Sequence, residues 1–154
     1  MPKTVKELLH IALSMEEMGY SFYKSKSEEF EDHQLKDIFA MLARDEIEHQ
    51  KKFKELIEKA HQDDTQHIDI ENLIEAHKNK AQLFNSNLNI DTPEEAIKHA
   101  FQDEKDSIMY YEKLKELYPE NKEVSTMLDT IIKEEQEHIK SLSELKNYIL
   151  MSQN

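Results

Sequence analysis

One pattern occurs twice in this chain, and it limits the fold more than any other feature. The stretch RDEIEHQK at 44–51 matches KEEQEHIK at 133–140, aligning Glu46 with Glu135 and His49 with His138. Upstream of each, ALSMEEMGYSFY at 12–23 matches AFQDEKDSIMYY at 100–111, aligning Glu16 with Glu104 and Tyr23 with Tyr111. The two glutamates stand 30 residues apart in the first half and 31 in the second. A repeated unit of that span is a helical hairpin.

Each arm of the repeat carries an apolar seam at helical spacing. Leu9, Leu13, Tyr20 and Tyr23 surround Glu16, and Phe39, Leu42 and Phe53 surround Glu46. Ile97, Phe101, Ile108 and Tyr111 surround Glu104, and Leu128, Ile131, Leu142 and Leu145 surround Glu135. These recur at three or four residues, the period of a helix face. Four helices therefore each set an acid inside an apolar stripe.

Helix boundaries can be read from the caps. Thr4-Val-Lys-Glu7 and Thr92-Pro-Glu-Glu95 are capping boxes, and Pro93 holds the favoured first helical position. Pro119 ends a third run, with a fourth starting soon after. A single glycine, three prolines and 34% charged residues agree with an all-helical chain. Helices are expected at 4–31, 34–60, 93–118 and 121–150, with a short helix around 69–84. The result is an all-α four-helix bundle in one domain, 1–154: hairpin 4–60, crossover 61–92, hairpin 93–150.

Composition removes several function classes. A net charge of −13 argues against nucleic acid or an anionic membrane as partner. With no cysteine, thiolate zinc sites, iron–sulfur clusters and thiol nucleophiles are excluded. No apolar run approaches the roughly 20 residues that cross a bilayer. The start MPKTVKELLHIA lacks the features of a signal peptide, so a cytoplasmic protein is expected.

The four acids lie near the midpoints of their helices, so Glu16, Glu46, Glu104 and Glu135 should converge with His49 and His138 at one level. An unpaired carboxylate in a dry core costs several kcal/mol or takes up a proton, and four would also repel. Two divalent cations balance four carboxylates, and neutral imidazoles complete the set. Residues three apart share a helix face, so Glu46/His49 and Glu135/His138 each offer two ligands. Such a donor set suits iron or manganese.

A single acid-x-x-His match is weak, since about two are expected by chance in a chain of this composition. Glu7/His10 and Glu58/His61 have the same spacing but no counterpart in the other half and lie near helix ends, which makes them solvated pairs. His33, His67, His77 and His99 read as surface groups, and the methionines and phenylalanines as core. Gly19, one turn from Glu16, costs about 1 kcal/mol in a helix and admits a close neighbour, a small ligand or nothing notable. Tyr23 and Tyr111 are placed to hydrogen-bond ligating carboxylates.

This ligand pattern resembles the ferritin-like di-iron carboxylate proteins. Within them, Glu104-Lys-Asp-Ser-Ile-Met-Tyr-Tyr111 and Thr92-Pro-Glu-Glu-Ala most resemble rubrerythrins. The resemblance implies two iron ions, with manganese as the other metal of this chemistry. It makes Glu16 and Glu104 single ligands, Glu46 and Glu135 bridging or chelating ligands, and His49 and His138 one ligand to each ion. There are two departures. Rubrerythrins typically carry a further glutamate where this chain has Ser107, and usually a cysteine-ligated rubredoxin-like domain that this chain cannot form. The implied activity is a di-iron oxidoreductase that reduces hydrogen peroxide or dioxygen to water, fed by an external donor such as a rubredoxin and acting as a homodimer. A ferroxidase, a dimanganese catalase-like enzyme and a metal-stabilised interaction module without turnover need the same six ligands.

Overall fold

The computed structural model describes residues 3–60, 65–66, 90–117 and 121–153. Among the described residues there are four helices: α1 (Val5–Glu29), α2 (His33–Lys59), α3 (Pro93–Glu116) and α4 (Lys122–Ser152). Each begins on a residue whose side chain accepts from a free backbone N–H of the first turn. Thr4 accepts from Glu7 and Thr92 from Glu95, with Pro93 following. Asp32 and Asn121 cap α2 and α4. A two-residue antiparallel pairing of Lys3–Thr4 with Thr65–Gln66 ties the start of the crossover to the start of α1. The short helix expected at 69–84, together with His61, His67, His77 and Pro119, lies outside the described residues.

Around the bundle the order is α1, α2, α4, α3: each hairpin packs internally, α2 lies against α4 and α1 against α3. The apolar core falls into two parts. One contains Leu9, Met15, Phe53, Leu56, Tyr111, Leu114, Leu128 and Ile131. The other contains Phe22, Tyr23, Phe39, Leu42, Ile97, Leu142 and Leu145. Along every helix the two parts are separated at the same level, by Glu16, by Glu46 and His49, by Glu104, and by Glu135 and His138. The bundle thus places a charged layer between two greasy halves.

Two sequence expectations need correction. Leu13, Tyr20, Phe101 and Ile108 are only partly buried. On α1 the seam instead runs through Leu8, Ala12, Met15 and Gly19, because that helix faces two neighbours. His99 is not a surface group. Its side chain is 14% exposed, its ring lies 4.7 Å from Phe22, and its Nε2 is 3.4 Å from Asp103 Oδ2.

Candidate metal centre

All six singled-out side chains meet in the polar layer, each at most 4% exposed. They form two overlapping groups, Glu16, Glu46, His49 and Glu135, and Glu46, Glu104, Glu135 and His138. Within each group four potential ligand atoms lie within 4.8 Å of one another. Glu46 and Glu135 belong to both.

Reciprocal contacts hold the layer in place. Tyr23 on α1 donates to Glu104 Oε1 of α3 at 2.5 Å, and Tyr111 on α3 donates to Glu16 Oε1 of α1 at 2.5 Å. Between α2 and α4 the exchange is histidine for acid. His49 Nε2 meets Glu134 Oε2 at 2.5 Å, and His138 Nε2 meets Asp45 Oδ2 at 2.9 Å. An acid on each outer nitrogen fixes the tautomer, putting the proton on Nε2 and aiming Nδ1 inward. Lys52 Nζ supports Glu134 from outside at 3.4 Å.

Asp45 and Glu134 are not among the residues the sequence singles out. The signal was available, since each directly precedes the repeated glutamate in DEIEH and EEQEH. Their side chains remain 43% and 41% exposed, bridging solvent and the layer. Of the chance pairs, Glu7, His10 and Glu58 are exposed. Buried Ser107 hydrogen-bonds Tyr111.

Without a cation the layer is frustrated. Glu16 Oε2, Glu104 Oε2, Glu135 Oε1, His49 Nδ1 and His138 Nδ1 are buried with no hydrogen-bond partner among the described residues. His49 Nδ1 approaches Glu135 Oε1 to 2.8 Å and Glu16 Oε2 to 3.4 Å, close enough for both carboxylates to favour a proton there. Burial, and then repulsion from Glu135, raise the Glu16 carboxyl above its ordinary range. Burial would lower the His49 imidazole, but Glu135 and Glu16 outweigh it and push it up to about 11. The Tyr23 and Tyr111 phenols are raised well above 10, chiefly by burial and then by surrounding carboxylates, so they stay protonated donors. Five orphaned polar atoms facing one point, from oxygen and imidazole groups alone, fit a pair of divalent iron or manganese ions.

Residues 7–146 match the family model of rubrerythrin. The chain belongs to the rubrerythrin family. Among solved structures, the chain is similar to a ferritin-like diiron-carboxylate protein from Thermotoga maritima. The two are 27% identical, the match covers 96% of this chain and 97% of that one, and the TM-score is 0.73. A dodecameric thioferritin from Bacteroides fragilis shares the fold at 17% identity and TM-score 0.70, over 97% of this chain and 88% of that one. No curated protein matches. Among the described residues no helix is long and apolar enough to cross a membrane.

Proposed function

We propose that this rubrerythrin is a di-iron oxidoreductase that reduces hydrogen peroxide, or dioxygen, to water. One observation carries the reading: the two ligand groups overlap in Glu46 and Glu135, so two cations would sit side by side. When bound, a ferrous pair supplies the two electrons that, with two protons, convert one peroxide to two waters. Dioxygen needs four electrons and hence a second reduction. On this reading electrons come from an external donor such as a rubredoxin; the 154 residues contain no cysteine to hold a thiolate redox centre.

The protein's part is position, charge and dryness. Glu16 and His49 would hold one ion, Glu104 and His138 the other, and Glu46 and Glu135 could serve both. Tyr111 and Tyr23 keep the outer glutamates oriented through their Oη protons. Glu134 and Asp45 hold the Nε2 protons of His49 and His138 and leave Nδ1 free to ligate. The two apolar halves keep water from both ends of the layer.

Rapid mixing of the anaerobic ferrous protein with hydrogen peroxide tests this. Oxidation of two irons per peroxide, much faster than free Fe(II) in the same buffer, is the expected result. No acceleration would refute the reading. Oxidation of many irons per chain with growth of a mineral would make iron the substrate instead.

A further inference from the structure

Gly19 is the chain's single glycine, and it stands buried in the middle of α1. Glycine weakens a helix interior relative to alanine. Its backbone is ordinary helix, with no conformation that only glycine tolerates. The constraint is space. A Cβ at this position would lie 3.0 Å from Glu46 Oε2, 3.1 Å from Glu46 Cδ and 3.5 Å from Glu46 Oε1. The Glu46 carboxylate therefore rests against the bare backbone of α1.

The repeat gives Gly19 a counterpart, Ser107, three residues after Glu104. Ser107 is buried too, but it has a side chain, and its hydroxyl bonds Tyr111. Of the two positions the repeat aligns, only the one on α1 lacks a side chain.

We propose that Gly19 is a positioning residue for the metal centre. By lacking a side chain it lets Glu46 take the one place from which it reaches both cation positions. The inference rests on the reading of the layer as a site for two divalent ions. In the metal-free protein the end of the Glu46 side chain can swing aside, so a methyl group at 19 is accommodated and the helix gains from it. In the loaded protein Glu46 must stay, and the methyl group stands where its carboxylate belongs. The same substitution then acts in opposite directions on the two states, which no purely structural role for the glycine would produce.

The test is Gly19→Ala in the full chain, titrated with Mn(II) by calorimetry and electron paramagnetic resonance, alongside thermal melts of the metal-free protein. The metal-free variant is expected to melt at or above the unsubstituted protein. Its Mn(II) affinity should fall by about tenfold or more, as for other groups that orient ligands. In a Glu46→Ala background the glycine substitution should cost nothing further, since the two groups compete for one space. Unchanged Mn(II) affinity overturns the proposal, as does an equal loss in the Glu46→Ala background. A metal-free variant that melts lower or fails to fold also overturns it, by making the glycine structural. If the unsubstituted protein binds no Mn(II) or Fe(II), the metal-site reading itself fails, an outcome distinct from the others.

Discussion

Loading this centre with a divalent metal must expel protons, and the pH dependence of affinity should reveal it. Burial would lower His49, but the stronger pull of Glu135 and Glu16 holds it up to about 11, so it carries a proton at neutral pH when metal is absent. A metal ion needs the Nδ1 lone pair and displaces that proton. Each displaced proton makes binding about tenfold tighter, ~1.4 kcal/mol, per pH unit below the group's pKa. From pH 6.5 to 8.5 the gain from His49 is about hundredfold. An unperturbed imidazole would give about twofold and then level off. Mn(II) calorimetry at pH 6.5, 7.5 and 8.5, in paired buffers of different ionisation heat, reads both the affinity and the proton count. At least one proton per chain, that of His49, is expected. Affinity that is flat above pH 7.5, or binding without proton release, would refute the reasoning. Stability of the metal-free protein runs the other way. The contribution of a raised His49 is fully present below its unfolded value of about 6.5 and is lost as pH climbs through about 11. That of a raised Glu16 is present below 4.5 and is likewise lost as pH rises. The metal-free chain should therefore melt lower at pH 9 than at pH 6.

Glu46→Ala and His138→Ala should each lower bound metal together with activity, and full metal content in either variant would contradict its ligand role. Tyr111→Phe strips the proton donor from Glu16 and Tyr23→Phe the one from Glu104. Each should cost about 1–3 kcal/mol, as for hydrogen bonds to charged groups, visible as a drop of several degrees in the melting point of the loaded protein. Asp45→Asn and Glu134→Gln loosen the outer nitrogens of His138 and His49, and each should weaken metal binding by about 10–100-fold without unfolding the chain. Equilibrium titration decides this. Leu128→Ala, in the apolar half that holds Met15 and Phe53, should cost about 2–5 kcal/mol in urea unfolding yet leave metal stoichiometry intact.

The architecture was legible because independent signals agreed: the doubled hairpin, the threonine caps and the apolar period. Helix ends came within about two residues, since Thr4 and Thr92 cap as their sequence context dictates. The six layer residues were legible for a different reason. An acid inside an apolar stripe is expensive, so its repetition in four helices marks a common position. Other features stayed hidden because sequence patterns weight large apolar residues and treat polar ones as exposed. Ala12 and Gly19 line the α1 seam yet add little to a hydrophobic pattern. His99 passes for a surface histidine until α1 brings Phe22 over its ring. Asp45 and Glu134 resemble any other acid in a chain of 33. Their partners lie 93 and 85 residues away, a relation that only the packing of α2 against α4 creates.

The connectivity of the layer explains why so costly a structure sits in the middle of a small core. Neither hairpin holds a complete ligand group: one group takes Glu16, Glu46 and His49 from the first hairpin and Glu135 from the second, and the other takes Glu46 from the first and Glu104, Glu135 and His138 from the second. The directed contacts around them also cross between hairpins, tyrosine to glutamate between α1 and α3 and histidine to acid between α2 and α4. Apolar packing on both sides of the layer already joins all four helices. Charge neutralisation in the layer adds to the association of the two hairpins. On the proposed metal reading, carboxylates that repel across this seam without metal attract through a shared cation with it, so cation binding and hairpin docking are linked equilibria.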